Sequence, residues 1–153
     1  MDAPFVPDNF VPPLELEVPG MRLEPLGPEH NERDHEAWSS SMDRIRATPG
    51  FEHDPEDPWP RPMTLEENLA DLEGHQADFA ARRGFTYTVL DPADLDVVGC
   101  VYIYPSKDEE HDVRVTSWVR ATRSELDTPL RNGLSRWLAT DWPFERVDYE
   151  LEV

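Results

Sequence analysis

The sequence has little cysteine, little basic charge and no long apolar run, and each shortage excludes a class of protein. Its single cysteine, Cys100, rules out a disulfide within the chain and lies in the apolar run VVGCVYIY, where a buried, unreactive thiol is expected. Apolar residues nowhere continue for the roughly 20 positions that span a bilayer. The N-terminus MDAPFVPDNF lacks the basic and apolar segments of a secretion signal. Together these absences predict a cytoplasmic protein.

Basic residues are outnumbered, with 14 Lys and Arg against 33 Asp and Glu and a formal net charge of -19. Because Lys and Arg supply most of the binding energy for phosphates, this excess of acid excludes nucleic acid and anionic membranes as partners. Residues 113–139 are the exception, since this stretch contains five arginines and only two acids, a local charge of +3. That patch is either an anion site or an ordinary solvated helix face.

Proline is concentrated early in the chain. Twelve of the 16 prolines come before residue 63, which predicts turns and extended segments in that part. Residues 1–19 are predicted to form a proline-rich arm with a short strand at LELEV (14–18), because apolar and acidic residues alternate there. Residues 20–153 are predicted to form a single domain, a length sufficient for one core.

Two helices are predicted between residues 31 and 83. One covers 31–47, with apolar residues at helical spacing at Trp38, Met42 and Ile45. The second covers 64–83, beginning at the capping box of Thr64 and Glu67 and ending at Gly84, which is expected to be left-handed. The face of the second helix that packs on the sheet is predicted to carry Leu65, Leu69, Leu72, Gln76 and Phe79.

Strands dominate the rest of the chain. MRLEPL (21–26) is predicted as a strand, and FTYTVL, VVGCVYIY and VRVTSWV predict further strands at 85–90, 97–104 and 113–119. The polar turns between these three are typical of antiparallel hairpins. A helix then begins near residue 126, and RVDYELEV closes the chain as a strand. The order predicts an α+β fold of three layers, with a mixed, mostly antiparallel central sheet and helices on both faces.

This order of elements, and the run SWVR leading into the last helix, resembles the GNAT superfamily of N-acetyltransferases over residues 20–153. The resemblance implies acetyl-CoA or another acyl-CoA as cofactor. It places the pantetheine arm along Ser117, Trp118 and Val119. It also implies that a Q/R-x-x-G-x-G/A turn wraps the pyrophosphate with main-chain N–H groups at a helix N-terminus.

The matching turn of this chain, RATRSE at 120–125, contains no glycine. Side chains crowd the positions where glycine would let the backbone approach the phosphates, and the carboxylate of Glu125 repels them. Arg120 and Arg123, with Ser124 beside them, remain candidates for holding phosphate through their side chains. The alternative is that the polar residues of the turn only cap the helix. The sequence therefore predicts a degenerate pyrophosphate turn.

Aromatic and acidic residues predict the amine-acceptor side. Segment 48–63 is long for a structureless connection, and in the resembled family it borders the acceptor site. The candidate substrate-binding residues are Trp59 in this segment and Tyr102 and Tyr104 on a central strand. The acids of the segment that would attract a cationic amine are Glu52, Asp54, Glu56 and Asp57. The alternative is that the aromatic residues serve packing alone, and no catalytic residue has a sequence signature.

Metal chemistry and assembly give two further expectations. His30, Asp34 and His35, and the run EEHD at 109–112, lack metal-ligand spacing, so they are predicted to be solvated surface without a metal. The last strand would be a sheet edge, which we expect to be covered by LELEV or by the same strand of a second subunit in a homodimer.

Two functions stay open at this point. The first is a GNAT-like domain with weak or no acetyl transfer that binds a small-molecule ligand or associates with itself, as the degenerate turn favours. The second is an active acetyl-CoA-dependent N-acetyltransferase that acts on a small cationic amine, as the arginine patch and the acidic segment favour.

Overall fold

The computed structural model describes residues 4–56 and 58–149. Within them, one sheet contains six strands that lie side by side in chain order. The strands are β1 (Leu16–Val18), β2 (Met21–Pro25), β3 (Phe85–Leu90), β4 (Val97–Pro105), β5 (Val113–Val119) and β6 (Val147–Tyr149). Successive strands are antiparallel except for β5 and β6, which pair in parallel. The predicted mixed, mostly antiparallel sheet is confirmed.

Four α-helices connect and cover these strands. They are α1 (Asn31–Ser39), α2 (Met42–Arg46), α3 (Leu65–Ala80) and α4 (Asp127–Asp141). Short 3₁₀ turns at Pro28–His30 and Ala121–Leu126 lead into α1 and α4. None of the helices among the described residues is long and apolar enough to cross a membrane.

The sheet has a hydrophobic core on each face, because residues of its strands alternate in direction. On β4, Val101 and Ile103 join the core that contains α4, whereas Cys100 and Tyr102 join the core under α1, α2 and α3. The prediction of helices on both faces is therefore confirmed. Cys100 is fully buried, as expected, and burial raises the pKa of its thiol well above the ordinary value.

The N-terminal arm contributes to the same core. Val6 is 2% exposed, and the ring of Phe5 stacks on those of Phe85 and Phe144. Its strand, β1, pairs with β2 and therefore lies at the edge of the sheet opposite to β6. The expectation that LELEV covers the last strand is wrong for this reason. The homodimer alternative stays a prediction.

The single helix predicted for 31–47 is wrong, because the structure has two helices with a break between them. Three consecutive serines interrupt the pattern, and serine hydroxyls compete for helix carbonyls. The hydroxyl of Ser40 donates to the Glu36 carbonyl at 2.8 Å, while Ser41 turns its hydroxyl to another part of the chain. The break thus frees a side chain to make a tertiary contact.

Helix α3 begins as predicted but ends differently. The Thr64 hydroxyl accepts the Glu67 amide and the Glu67 carboxylate accepts the Thr64 amide, which confirms the capping box. At the other end, the left-handed residue is Arg82 (φ 63°), not Gly84. Gly84 instead allows close packing, since a Cβ at this position would lie 2.2 Å from the ring of Tyr104.

The buried face of α3 also differs from the predicted one. Leu65 is 45% exposed and Gln76 is exposed, whereas Asn68 is 1% exposed. The inward line runs through Asn68, Leu72, His75 and Phe79, at alternating spacings of four and three residues. Polar side chains of α3 therefore point towards the sheet.

Two residues predicted to be solvated surface are buried. His30 is 1% exposed, with its Nδ1 accepting the Gly27 amide at 3.0 Å and its Nε2 lying 2.9 Å from the Glu24 carboxylate. Asp34 is 3% exposed, and its carboxylate accepts the side-chain amide of Asn68 at 3.1 Å. The surface prediction is wrong for both because α3 packs on α1 and on the 3₁₀ turn that precedes it.

Candidate functional site

A cavity of about 720 Å³ lies on the α3 side of the sheet, next to segment 48–63. Four aromatic residues line it, namely Phe51, Trp59, Tyr102 and Tyr104. The structure therefore brings together the three residues that the sequence names as substrate-binding candidates. Their role in binding stays a prediction.

The aromatic wall is held by contacts in the core beneath it. The ring of Trp59 lies 5.5 Å from that of Trp38 and 6.5 Å from that of Tyr102. The Tyr102 hydroxyl accepts the indole N–H of Trp118 at 3.1 Å. Phe51, Trp59 and Tyr102 therefore pack against the core and also line the cavity.

His75 of α3 lies in the cavity wall within a polar network. Its Nδ1 is 2.9 Å from the Tyr104 hydroxyl and 3.1 Å from the Thr86 hydroxyl. The Tyr104 hydroxyl donates to the Asp78 carboxylate at 3.0 Å. On the other side of the ring, Nε2 lies 3.7 Å from the Asp71 carboxylate. Burial lowers the pKa of His75, against the raising effect of Asp71 and Asp78, so the imidazole is neutral at pH 7.

Acidic groups outnumber basic ones around the cavity. Its carboxylates are Asp54, Asp71, Asp108 and Asp148, and its cations are Lys107 and Arg114. Arg114 already has an acidic neighbour, because its guanidinium lies 3.4 Å from the Asp148 carboxylate. With His75 neutral, the formal charge of the lining is -2, which favours a positively charged ligand.

The turn after β5 has its first arginine held by the chain itself. Arg120 is 8% exposed. One guanidinium nitrogen donates to Asp96 at 3.0 Å, and the other donates to Glu36 at 2.9 Å. In the sequence, Asp96 lies 24 residues and Glu36 lies 84 residues from the arginine. Its fork is therefore occupied by carboxylates.

The second arginine of the turn is also paired. Arg123 donates to Asp91 at 2.8 Å and to Glu125 at 2.9 Å. These hydrogen bonds raise the pKa of Arg123 and lower the pKa of both carboxyl groups. Ser124, the remaining polar candidate of the turn, is exposed.

Main-chain N–H groups of the turn have partners as well. The amide of Ala121 donates to the Ser41 hydroxyl at 2.9 Å, and the amide of Arg123 donates to the Arg120 carbonyl at 3.0 Å. The amide of Glu125 donates to its own carboxylate. The Glu125 side chain thus occupies the position of an anion at this turn. As arranged, these residues do not fit a diphosphate.

The strand leading into the turn divides its side chains between the two faces. Trp118 and Arg120 lie on the cavity side, whereas Ser117 and Val119 lie on the α4 side. There the Ser117 hydroxyl is hydrogen-bonded to that of Tyr149 on β6, and the Arg131 guanidinium lies 5.4 Å from the centre of the Tyr149 ring. These side chains connect β5, β6 and α4. A cofactor role for Ser117, Trp118 and Val119 stays a prediction.

Within residues 4–56 and 58–149, two clusters bring potential metal-binding atoms within 4.8 Å of one another, Glu24 with Glu29 and His30, and Asp108 with His111 and Asp148. In each, the histidine is already hydrogen-bonded to a carboxylate, His30 to Glu24 and His111 to Asp108, both at 2.9 Å. Such pairs are stable without a metal, and we assign none.

Sequence reasoning missed His75, Asp71 and Arg114 as members of the site. A signal for His75 existed, because it lies three residues after Leu72 and four before Phe79 on the inward line of α3. A signal for Arg114 also existed, since it is the register partner of Tyr104 on the neighbouring strand. Pairing in register places their side chains side by side on one face.

No protein-family model matches the sequence, and no curated protein is similar enough to it in sequence to count as a relative. Solved structures do match. RimJ of Mycobacterium smegmatis, in complex with CoA-disulfide, has a TM-score of 0.68 at 14% identity and covers 88% of this chain and 65% of that one.

Two further acetyltransferase structures match in the same way. The ribosomal-protein-S5-alanine acetyltransferase of Vibrio fischeri has a TM-score of 0.62 at 10% identity, over 83% of this chain and 68% of that one. The microcin C7 self-immunity acetyltransferase MccE, in complex with acetyl-CoA and AMP, has a TM-score of 0.58 at 9% identity, over 80% and 66%. At such identities the likeness establishes the fold alone, and this chain has the fold of the GNAT acetyltransferases.

Proposed function

We propose that this chain is a GNAT-fold ligand-binding domain that takes a small cationic amine into the aromatic cavity and has weak or no acyl-CoA-dependent transfer. The observation that carries the proposal is the state of the turn at 120–125. Its two arginines are paired with carboxylates, and the main-chain amides of Ala121 and Arg123 already have partners within the chain.

Charge supports the exclusion of a diphosphate. Four carboxylates, those of Glu36, Asp91, Asp96 and Glu125, surround the two guanidinium groups of the turn. A diphosphate would have to displace these carboxylates and then remain among them, so each new contact is offset by a lost ion pair and by like-charge repulsion. The turn therefore lacks the free positive field that anion binding requires.

The cavity offers the opposite environment. Its aromatic rings present faces to which a cation is attracted by about 0.5–2 kcal/mol each, depending on how far it is desolvated. Its lining has an excess of carboxylates over cations. Aromatic faces and acids together select a small molecule with an ammonium group over a neutral or anionic one.

Calorimetric titration at low salt tests the proposal. Acetyl-CoA at millimolar concentration should give no saturable heat, while the acetyltransferase MccE, whose structure contains acetyl-CoA, serves as the positive control for the reagent. A panel of small primary amines, including alkyl amines, aryl amines and polyamines, should contain at least one that binds. If no member of the panel binds at 10 mM, the cavity is not an amine site.

The alternative function is an active acetyl-CoA-dependent N-acetyltransferase, which the complexes of the similar structures with CoA-disulfide and acetyl-CoA favour. It requires saturable acetyl-CoA binding that is lost in the double variant Arg120→Ala/Arg123→Ala. Arg136→Ala is the matched control, since it removes an exposed arginine of the same basic segment outside the turn. Release of free thiol from acetyl-CoA in the presence of an amine would establish the transfer itself.

A further inference from the structure

We propose that His75 determines the specificity of the cavity, because its Nε2 accepts an N–H from the ligand and so selects primary or secondary ammonium groups over quaternary ones. This inference rests on the proposed function, since it assumes that the cavity binds a cation. It adds the residue that recognises the cation and the chemical feature that is recognised.

The hydrogen bond from Tyr104 to Asp78 favours the tautomer of His75 with its proton on Nδ1, and the Thr86 hydroxyl, 3.1 Å from the same nitrogen, is then a second acceptor. The hydroxyl of Tyr104 has a single hydrogen, which it donates to the Asp78 carboxylate at 3.0 Å. The 2.9 Å contact between that hydroxyl oxygen and His75 Nδ1 therefore needs the imidazole to be the donor. A neutral imidazole with its proton on Nδ1 has a lone pair on Nε2.

Two acceptors consequently face each other in the cavity. His75 Nε2 and the carboxylate of Asp71 are 3.7 Å apart, one turn from each other on α3. With the imidazole proton on the far nitrogen, both atoms present lone pairs to the same space. A donor with at least two N–H groups, such as a protonated amine, satisfies both at ordinary hydrogen-bond distances.

The surroundings of His75 strengthen the preference for a cation. The Tyr102 and Tyr104 rings lie 5.7 and 6.2 Å from the imidazole ring and line the same cavity, so both are close to an ammonium group held at Nε2. A quaternary ammonium can use these rings, but it has no N–H to donate to either acceptor. It leaves the partly buried imidazole acceptor unsatisfied, which weakens its binding relative to the primary amine.

Protonation of His75 should abolish the selection. An imidazolium has no lone pair, and its charge repels the ligand. The groups that face it are Asp71 and Asp78 on α3, Thr86 on β3, Tyr102 and Tyr104 on β4, and the cavity groups Asp54, Lys107, Asp108, Arg114 and Asp148. Burial lowers the pKa of His75 from its ordinary value, so affinity should be constant from pH 7 to 8 and fall at the more acid pH at which the imidazole takes up a proton.

A matched pair of ligands tests the inference directly. We expect 2-phenylethylamine to bind at least 10-fold more tightly at pH 7.5 than its N,N,N-trimethyl derivative, as measured by calorimetry or by NMR titration. The advantage should shrink several-fold at the acid pH at which NMR titration shows the imidazole to be protonated. Equal affinities at pH 7.5 would overturn the role of His75 and leave the cation site standing. Binding of neither probe at 10 mM would overturn both proposals.

Two substitutions separate the imidazole nitrogens. His75→Gln places an amide near the position of Nε2 and should retain binding of 2-phenylethylamine within about threefold, without dependence on pH. His75→Asn can replace only Nδ1 and should lose at least 10-fold. Urea unfolding of both variants checks that they are folded, and chemical shifts of the wild-type imidazole nitrogens report the tautomer independently. A wild-type affinity in folded His75→Asn, or a proton on Nε2, refutes the inference.

Discussion

A buried carboxyl group between α1 and α3 makes the stability of this protein depend on pH in a way that one substitution can isolate. Asp34 is 3% exposed, and its neighbours include Asn68, Asp71 and His30. Desolvation raises its pKa from 3.8 to about 6, and the hydrogen bond from Asn68 only partly opposes this. The folded chain therefore holds the proton of Asp34 more tightly than the unfolded chain does.

The sign and size of the effect follow from linkage. Because the folded-state pKa lies above the unfolded one, the contribution of Asp34 to stability increases as pH falls through 6 and is complete below 3.8. The difference between the two values corresponds to about 3 kcal/mol. Ionised Asp34 thus opposes folding by about this amount at pH 8, which for a chain of this length is roughly 6–12 °C in Tm.

Asp34→Asn removes the ionisable group but keeps the oxygen that accepts from Asn68. Its free energy of unfolding, relative to wild type, should increase by about 2.4 kcal/mol between pH 4 and pH 8, because part of the effect is already present at pH 4. Urea unfolding followed by tryptophan fluorescence at pH 4, 6 and 8 measures this difference. Carboxyl groups with lowered pKa, such as Asp91 and Asp112, lose their contribution as pH falls, but they are present in both proteins and cancel.

The exposed Asp43 of α2 supplies the control. Asp43→Asn removes the same charge from solvent, and its stability relative to wild type should not vary with pH by more than about 0.5 kcal/mol. If Asp34→Asn behaves like this control, burial does not perturb the carboxyl group, and the reasoning from its contacts is refuted.

Two matched pairs of substitutions, measured by urea unfolding at pH 7, test other parts of the fold. Gly74→Ala should stabilise by about 0.5–1 kcal/mol, because nothing lies within 4 Å of the added methyl group in the helix. Gly84→Ala should destabilise by about 1–3 kcal/mol, because the methyl group meets a tyrosine ring, and a neutral result would contradict that packing. Arg120→Met should lose less than about 1 kcal/mol, because its carboxylate partners are 45–60% exposed and return to water. Arg131→Met should lose about 3–5 kcal/mol, since Asp127 then stays buried without its ion-pair partner, and equal losses in the two arginine variants would contradict this reasoning.

Local patterns predicted the elements that local forces determine. The strand at 85–90 and the capping box of α3 have the predicted positions, because alternation and capping depend on residues within one turn or strand. The break after Ser40 was not predictable in the same way. It depends partly on the hydroxyl of Ser41, which accepts an amide 80 residues later.

Only the part of the candidate site that lies on one strand was predictable from the sequence, because alternation along a strand shows which residues share a face. Tyr102 and Tyr104 alternate on β4 and so share a face, which made them recognisable as a pair. His75 depends on a hydrogen bond to a tyrosine 29 residues away, and Arg120 depends on carboxylates 24 and 84 residues away. Such partners are set by the fold, and spacing along the chain gives no sign of them.

Charge counted along the sequence and charge counted among neighbours in the fold give different results. This difference explains why the turn and the cavity favour ligands of opposite charge. Along the chain, residues 113–139 carry a charge of +3 and suggest an anion site. In space, α1 and the loop before β4 bring carboxylates to Arg120 and Arg123, so the positive charge is compensated. The acids Asp54 and Asp71 have no lysine or arginine within ion-pair distance among residues 4–56 and 58–149. Part of the uncompensated negative charge of the folded molecule therefore lies in the cavity, and a ligand that supplies positive charge offsets it there.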